Sequence, residues 1–207
     1  YTTLFRSDFG VPQRRNRLFI VGNRNGIDFE FPKEFDYSVS VDEAISDLPV
    51  LGNGEIQMKG EYTVPFEQAS PYAQLMRKKS KAPTQNIVSR NKDYVVERYK
   101  YIGQGENWSS IPDRLMENYA DKKRCHSGIY KRLIGGKPSV VISNYRKSML
   151  IHPHQDRGLS VREAARLQSF PDHFIFEGPV SYVQQQIGNA VPPLLAKAVM
   201  KKILTYK

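Results

Sequence analysis

The clearest short pattern in the chain is the apolar run Leu-Phe-Ile-Val at 18–21, which Gly22 ends. A continuous apolar run of this length is typical of a β-strand that is buried on both faces. Such a strand implies a sheet with helices or loops on both sides, which is the arrangement of an α/β fold. The other strands of that sheet are not obvious elsewhere in the sequence.

Helical spacing dominates the end of the chain. The Ser-Val-Arg-Glu pattern at 160–163 is that of a capping box and predicts a helix over 161–170. The helix is expected to stop before Pro171, because a residue that precedes proline avoids helical angles. A second helix is predicted over 192–204, where proline fits the first turn. The inward side of the first helix is predicted to contain Val161, Ala164, Ala165 and Leu167 or Gln168.

The middle of the chain is irregular, with short predicted helices at 38–48 and 71–79 and a predicted strand at 137–143. Positive charge gathers at 77–81 and 122–124, and aromatic residues interleave with both clusters. This mixture suits a surface that touches bases and phosphates. Alternatively, the aromatic residues form the core of a small domain. We divide the chain into three parts, 1–35, 36–150 and 151–207.

Composition adds a charge surplus to this picture. The 207 residues include 31 Lys and Arg against 21 Asp and Glu, for a formal net charge of +10. The surplus suits a polyanionic partner, because each phosphate contact releases condensed counterions; an ordinary basic surface is the alternative. Neither a membrane span of about 18 apolar residues nor a signal peptide is predicted. The single cysteine, Cys125, excludes an internal disulfide and a multi-cysteine zinc site, predicts no metal centre and fits a reducing cytoplasm.

Three blocks of sequence carry a resemblance to a known family. They are FGVPQRRNRLFIVG at 9–22, RGLSVREAARLQSFPD at 157–172 and QIGNAVPPLLA at 186–196. The first resembles the glutamine–arginine block of bacterial cytosine-5 DNA methyltransferases, and the others resemble their last two blocks, in the same order. The resemblance implies the C-terminal portion of a Rossmann-like, S-adenosylmethionine-dependent methyltransferase domain. It also implies a small irregular, β-containing target recognition domain between the first two blocks.

The first block is a group of arginines placed just before an apolar strand. Arg15 and Arg17 are two residues apart, so an extended backbone directs them to one side. Planar guanidinium groups on a rigid strand suit bidentate contact with a phosphate or a base carbonyl. By resemblance, Gln13, Arg15 and Arg17 line the pocket of the flipped cytosine, and Arg17 contacts its O2. The alternative is a solvated basic turn.

The last block is predicted to form a tight turn at 188–191 before the C-terminal helix. Glycine allows close backbone approach, and the Asn189 amide can both donate and accept hydrogen bonds. By resemblance, Asn189, Ala190 and Val191 complete the S-adenosylmethionine pocket, of which this chain contains only a part. Without the resemblance, the same residues are only a loop that begins a helix.

Target recognition is expected from 125–142, which is similar to recognition-domain sequence of bacterial members. A loop with Ser127, Tyr130 and Arg132 is predicted to enter the major groove of double-stranded DNA and read base edges. The alternative is that this loop supports another reading loop. Arg14 and Arg162 are further predicted DNA contacts, although the structural interpretation of the helix that contains Arg162 is the stronger one.

The catalytic cysteine is where the sequence departs from the family pattern. In the family, a Pro-Cys loop supplies the thiolate that attacks cytosine C6, a Glu-Asn-Val segment supplies a glutamate, and a glycine-rich turn holds the cofactor. None of these occurs in this sequence. Cys125 follows Arg124, and the adjacent His126 points away from it on extended backbone. We therefore interpret Cys125 as an incidental thiol, and the first residue, Tyr1, indicates that upstream sequence is missing.

These patterns together predict a partial DNA (cytosine-5) methyltransferase that is inactive alone. It is expected in the cytoplasm at the nucleoid, in a restriction–modification context, and to need an N-terminal catalytic half. Its unpaired apolar strand and C-terminal helix predict an exposed apolar face for that half or for a homodimer. One rival is a non-catalytic DNA-binding or regulatory relative. The other is an RNA- or single-strand-binding module, which ranks last because no RRM or KH signature occurs.

Overall fold

The computed structural model describes residues 2–24, 26–117, 127–142 and 145–206. In chain order, the helices and strands are β1 (Thr2–Phe5), β2 (Asn16–Phe19), α1 (Val41–Ile45), β3 (Ile56–Lys59), α2 (Pro71–Arg77), β4 (Thr84–Ile87), α3 (Asp93–Tyr99), α4 (Val161–Leu167), α5 (Val180–Asn189) and α6 (Pro193–Leu204). Within these ranges, no helix combines the length and the apolar character that crossing a membrane requires.

The strands form two small antiparallel sheets. β1 pairs with β2, with Thr2 opposite Phe19 and Phe5 opposite Asn16, and β3 pairs with β4. Helices and sheets together agree with the predicted α/β class. Each sheet has two strands in the described part of the chain, so the Rossmann-like arrangement stays a prediction.

The apolar run at 18–21 forms a strand, but the prediction that this strand is buried on both faces is wrong. β2 ends at Phe19, and Leu18 and Ile20 are 60% and 76% exposed. The reason is that β1 is the only strand paired with β2 among the described residues. The run therefore contributes to the exposed apolar face that the sequence also predicts.

The largest hydrophobic core joins α1, α2, α4 and α5. Every residue of α4 is buried, and α4 contacts α1, α5 and β4. This core contains residues from Val39 to Ile187, so it crosses the predicted boundary at residue 150. The segment from 151 to 187 therefore packs with the middle of the chain, and the three-part division stays a prediction.

Two reciprocal capping boxes start the helices of this core. The Ser160 hydroxyl accepts from the Glu163 N–H at 3.2 Å, and the Glu163 carboxylate accepts from the Ser160 N–H at 2.7 Å. Ser40 and Glu43 make the same exchange at the start of α1. Each box satisfies N–H groups that have no partner within the first helical turn. The capping box predicted at 160–163 is confirmed, and α1 and α2 confirm the two short helices predicted in the middle of the chain.

The predicted strand at 137–143 is wrong for the residues described there. Ser139 makes a single parallel bridge to Gln13, and a turn at Gly135 and Gly136 directly precedes it. The pairing does not extend, because the backbone around Gln13 is a bend that leads into β2. Residue 143 itself lies outside the described residues.

The tight turn predicted at 188–191 is wrong in its first half. Gly188 and Asn189 form the last turn of α5, and Ala190 is the extended residue that ends this helix. The sequence gives little sign of α5, because Pro179 before it makes no side-chain cap and glycine and asparagine are poor helix formers. α6 runs from Pro193 to Leu204 and confirms the last predicted helix.

Two smaller hydrophobic clusters complete the packing. One of them joins α3 to Tyr130 and Ile151. In the other, Leu195 and Val199 of α6 pack against Phe9 near the N-terminus. The C-terminal helix therefore returns to the first part of the chain, so the first and last segments share one cluster.

A buried ionic network connects α1, α4 and the turn after α4. The Arg166 guanidinium donates to Asp47 at 3.0 Å and to Asp172 at 2.6 Å. Tyr62 donates to the other carboxylate oxygen of Asp172 at 2.7 Å. Because loss of one partner would leave a buried charge unpaired, the network fixes how these elements pack.

A second buried network surrounds Glu163. Arg157 donates to both of its carboxylate oxygens, at 2.9 and 2.7 Å, and His152 Nε2 lies 3.8 Å from one of them. Burial would raise the pKa of Glu163, but the charge and hydrogen bonds of Arg157 outweigh it and lower this pKa to about 2. Burial also lowers the pKa of His152 to about 4, against the attraction of Glu163. Glu163 therefore both caps α4 and neutralises Arg157.

Candidate nucleic-acid interface

The arginine block at 13–17 is joined to the middle of the chain by backbone pairing. Gln13 is buried and forms the parallel bridge with Ser139. The Arg14 N–H donates to the Ser139 carbonyl at 2.8 Å, and the Ser139 N–H donates to the Pro12 carbonyl at 3.0 Å. These bonds fix the start of the block against the segment that precedes residue 142.

Arg15 joins the same block to the end of α5. Its side chain is half-buried, and Nη1 donates to the Gly188 carbonyl at 3.2 Å. Carbonyl groups in the last turn of a helix lack helical partners and carry partial negative charge, which an arginine side chain complements. The contact brings together residues 173 positions apart. The first and last of the three blocks therefore lie side by side.

The predicted cofactor residues lie at this junction. Asn189 is exposed, Ala190 is half-buried and Val191 is 55% exposed. The start of α6 beside them is held by Ser169, whose hydroxyl accepts from the Leu194 N–H at 3.2 Å. An exposed amide next to an exposed apolar side chain can offer a ligand both hydrogen bonds and van der Waals contact. The junction is thus suitable as one wall of a pocket.

Arg17 has a different environment from Arg15. It lies in β2, is exposed and donates to the carbonyl of its neighbour Asn16 at 3.1 Å. The two guanidinium groups share no partner. Arg15 is bound to the fold, whereas the outer edge of Arg17 is accessible to a ligand.

Next to the block lies a basic and apolar surface, which we call the recognition surface. Arg14, Lys131 and Lys137 line a groove of about 460 Å³. Ser127 and Lys131 line a second groove of about 460 Å³. The recognition surface consists of Arg14, Ser127, Lys131, Lys137, Val140 and Val141, and both valines line both grooves. Its cations suit phosphates, and exposed valines suit apolar contact with thymine methyl groups.

Four residues of the recognition surface are not among the predicted site residues, namely Lys131, Lys137, Val140 and Val141. A strand, as predicted there, would direct two adjacent valines to opposite faces. Instead, Val140 and Val141 are 39% and 42% exposed. The sequence does not reveal that both valines are exposed; the folded structure does.

Tyr130 and Arg132 need correction as predicted base-reading residues. Tyr130 is fully buried, and its hydroxyl accepts from Arg98 Nη1 at 2.8 Å. Arg132 is 6% exposed, and its guanidinium donates to several backbone carbonyls, including those of Tyr99 at 2.7 Å and His152 at 2.9 Å. Both side chains hold the fold together below the recognition surface, so we do not retain them as DNA contacts.

Arg162 is also buried, which removes it from the predicted DNA contacts. Its Nε donates to the Thr84 carbonyl at 2.9 Å, and its Nη2 donates to the Phe174 carbonyl at 2.9 Å. With no exposed surface, it cannot reach a phosphate from this position. Arg162 instead connects α4 to β4 and to the loop after α4.

Ser127 is the predicted base-reading residue that remains accessible. It is exposed, and its carbonyl accepts from the Asn107 side chain at 3.0 Å. The hydrogen bond holds the backbone while leaving the hydroxyl on the surface. Cys125 and His126, for which the sequence predicts no catalytic role, lie outside the described residues.

Known proteins place the chain in context. Residues 1–205 match the family model of C-5 cytosine-specific DNA methylases. Type II methyltransferase M.DdeI of Desulfomicrobium norvegicum is 33% identical over 220 residues, which cover 96% of this chain and 52% of the relative. Type II methyltransferase M1.HphI of Haemophilus parahaemolyticus is 34% identical over 200 residues, which cover 96% of this chain and 45% of the relative.

One solved structure is similar to this chain in its fold. It comes from Escherichia coli, is described as a prophage-encoded DNA modification methyltransferase, and superposes with a TM-score of 0.68 at 22% identity. The match covers 99% of this chain and 59% of that chain. This chain spans about half the length of the curated relatives it matches. Because the family model covers nearly every residue, the chain belongs to the C-5 cytosine-specific DNA methylase family.

Proposed function

We propose that this chain is the target-recognition and C-terminal part of a DNA (cytosine-5) methyltransferase. The whole enzyme would transfer a methyl group from S-adenosylmethionine to cytosine C5 in specific double-stranded DNA. The hydrogen bond from Arg15 to the Gly188 carbonyl carries this proposal. It joins the block proposed to hold the cytosine to the segment proposed to face the cofactor. Base and methyl donor must be adjacent for transfer, and this contact supports that adjacency.

For the base pocket we propose Gln13, Arg15 and Arg17. The target cytosine must leave the stack, because its C6 cannot be attacked within a duplex. The exposed guanidinium of Arg17 would donate to O2 of the extruded cytosine and stabilise negative charge that develops on the ring. Buried Gln13 and anchored Arg15 would hold the backbone that presents Arg17.

For the cofactor we propose a wall formed by Asn189, Ala190 and Val191. When bound, S-adenosylmethionine supplies an electrophilic methyl group. The exposed Asn189 amide and the exposed Val191 side chain fit a ligand that has both polar and apolar parts. This wall is incomplete alone, because the glycine-rich turn of the family does not occur in the sequence.

The attacking thiolate would come from an N-terminal catalytic half. The single cysteine of this chain follows Arg124 and lacks the preceding proline of the family. Exposed apolar side chains on the first and last segments support a partner there, since such side chains are common at interaction sites. Those that are at least 50% exposed are Leu18, Ile20, Val191, Met200 and Leu204. A second copy of the chain is the alternative occupant.

For DNA binding we propose the recognition surface. Exposed Arg14 would contact a backbone phosphate, and Ser127 would donate to or accept from a base edge in the major groove. Lys131 and Lys137 would add phosphate contacts on either side. A protein with this substrate would act at the bacterial nucleoid in the cytoplasm.

Transfer of labelled methyl groups to mixed-sequence duplex DNA tests the proposal. The chain is assayed alone and together with the separately expressed N-terminal half of its own gene product or of a close relative. Activity in the mixture only is the expected result. Activity of the chain alone would overturn the assignment of the nucleophile to the other half and direct attention to Cys125.

A non-catalytic DNA-binding relative is the second candidate, and the missing Pro-Cys pair is the observation that favours it. It predicts tight binding of duplex DNA with no methyl transfer even when the N-terminal half is added. Preference for single-stranded over double-stranded DNA in a competition assay would contradict both candidates.

A further inference from the structure

A further basic groove lies away from the arginine block, between the end of α2 and the antiparallel strands β3 and β4, whose long hairpin connection contains α2. Its volume is about 910 Å³. We call it the hairpin groove; the residues that matter for its chemistry are Lys59, Glu61, Tyr62, Arg77 and Lys81. It contains part of the basic cluster at 77–81. None of the residues of this cluster belongs to the proposed base pocket or the proposed cofactor wall.

Arg77 lines the hairpin groove in a fixed orientation. It is 7% exposed, and its guanidinium lies 3.8 Å from the centroid of the Tyr62 ring. Both of its hydrogen bonds to protein oxygens use Nη1, with the Val64 carbonyl at 3.2 Å and with Asp47 at 3.5 Å. Its Nε is buried and has no hydrogen-bond partner among the described residues. Nε and Nη2 lie on the other edge of the guanidinium group, and that edge makes no hydrogen bond to the described residues.

This edge of an arginine has a defined chemical preference. Nε and Nη2 point the same way and form a planar pair of donors that matches two oxygens of a phosphate. Because Nε itself has almost no exposed surface, a phosphate in the groove would reach the Nη2 end of this edge first, with Nε as the unsatisfied donor beside it. Asp47 only partly neutralises Arg77, because the same carboxylate also accepts from Arg166 at 3.0 and 3.2 Å.

The surroundings of Arg77 add positive charge. Lys59, Lys78, Lys79 and Lys81 are exposed, and none of the four belongs to an ion pair between described residues. Glu61 is the acidic residue that lines the groove. The groove itself is lined by three cations, Lys59, Arg77 and Lys81, against one carboxylate, which leaves it attractive to polyanions.

We propose that the hairpin groove binds backbone phosphates of double-stranded DNA outside the recognised sequence. This inference rests on the proposed function. Duplex DNA is favoured over single strands, because it is the substrate of the proposed function and because Arg77 already occupies one face of Tyr62, the aromatic side chain that lines the groove. Lysines and one arginine edge supply charge and phosphate geometry but no reading of bases. The groove would therefore strengthen binding equally on all sequences.

The test uses the double variant Lys59→Gln/Lys81→Gln of the full chain. Dissociation constants for duplexes with and without a recognised site are measured over a series of salt concentrations. The logarithm of the affinity falls linearly with the logarithm of the salt concentration, and we call the steepness of this line the salt slope. Each lost phosphate contact lowers the salt slope by about 0.9. The slope is therefore expected to fall by about 1.8 on both duplexes, while the ratio of specific to non-specific affinity stays unchanged.

The matched control is Lys197→Gln/Lys201→Gln, which removes the same charge from exposed positions on α6. It is expected to keep the slope of the unmodified chain. Equal loss in both double variants would show an effect of net charge only and would overturn the proposal. Arg77→Lys keeps the charge but loses the planar edge; it should weaken duplex binding several-fold, with thermal melting used to confirm that it folds.

Failure of this inference is separable from failure of the proposed function. If neither the unmodified chain nor its mixture with the N-terminal half binds duplex, the proposed function fails. If it binds and Lys59→Gln/Lys81→Gln keeps the slope, only the groove assignment fails. Saturable binding of inorganic phosphate at matched ionic strength, with an unchanged DNA salt slope in the variant, would assign the groove to a free phosphate ligand and also overturn the proposal.

Discussion

The arginines of the two arginine-rich blocks have opposite environments. In the block at 157–172, Arg157, Arg162 and Arg166 are at most 2% exposed, and carbonyls or carboxylates of the chain surround each guanidinium. In the block at 13–17, Arg14 and Arg17 are exposed. The same residue type therefore holds the fold in one block and is accessible to a ligand in the other.

The difference comes from the backbone that carries each block. α4 is surrounded by α1, β4 and α5, so every direction from this helix meets protein and its arginines must find acceptors there. The block at 13–17 is an extended segment that leads into the exposed strand β2, so Arg14, Asn16 and Arg17 face solvent, whereas Arg15 reaches the end of α5. Burial, and not the presence of arginine, distinguishes a structural block from a binding block.

The largest expected effect is the loss of a buried arginine. Arg166→Met should lower the free energy of unfolding by about 3–5 kcal/mol, because Asp172 would keep a buried charge without its arginine partner and Asp47 would keep only its 3.5 Å contact with Arg77. Urea denaturation followed by fluorescence measures it. Arg17→Met, the same substitution on the exposed strand, should stay within about 0.5 kcal/mol. Similar losses in both variants would remove the distinction between the blocks.

The next effect is a pH dependence that originates in the buried block. The pKa of His152 is about 4 in the folded protein against an ordinary 6.5, so between these values the unfolded chain binds more protons. The free energy of unfolding should therefore fall as the pH is lowered from 6.5 to 4, by about 3 kcal/mol from this group. Glu163, with a pKa near 2 against 4.5, adds a further loss below pH 4.5.

His152→Asn isolates the histidine contribution. Asparagine can still accept the hydrogen bond that His152 Nδ1 accepts from the His154 N–H at 3.1 Å. Denaturation curves from pH 7 to pH 4 should show a weaker pH dependence in the variant. Parallel curves for both proteins would mean that His152 is not held neutral by burial.

A smaller effect is expected where the core supports the recognition surface. A side chain at Gly135 would overlap the Asp42 carboxylate, which also pairs with His154 at 2.8 Å. Asp42 is 40% exposed and can rotate away at the expense of its pairing with His154, so Gly135→Ala should cost no more than about 1 kcal/mol of stability. At Gly136 an added methyl group meets no neighbour, so Gly136→Ala is the control and should be nearly neutral. A neutral Gly135→Ala would show that this contact is easily displaced.

The smallest effect on stability belongs to the exposed block. Arg14→Gln should change the free energy of unfolding by no more than about 0.5 kcal/mol. It should nevertheless lower the salt slope of duplex binding by about 0.9, since one phosphate contact is lost. Binding titrations across salt concentrations measure this, and an unchanged slope would remove Arg14 from the proposed interface.

Local signals made part of the fold predictable. The start of α4 follows from Ser160 and Glu163 alone, because a capping box involves only four residues. Tyr130 could not be placed in this way. Its backbone has a φ of 52°, which turns its side chain into the core and which no spacing rule gives for a tyrosine. Arg132 likewise takes its partners from segments far along the chain, including Tyr99 and His152.

The candidate site was predictable only through family resemblance. Nothing local in the sequence relates Arg15 to Gly188, because their contact depends on α5, which carries no capping signal. The exposure of Val140 and Val141 was not predictable either. The apolar run at 140–142 predicts a strand, whereas the fold leaves both valine side chains partly exposed.

The most direct measurement is labelled methyl transfer to duplex DNA by a mixture of the N-terminal half with either the unmodified chain or Arg17→Met. The account predicts transfer with the unmodified chain and its loss with Arg17→Met, at unchanged thermal stability. Full transfer with Arg17→Met would contradict the proposed cytosine pocket. No transfer with the unmodified chain, despite tight duplex binding, would contradict the methyltransferase function itself.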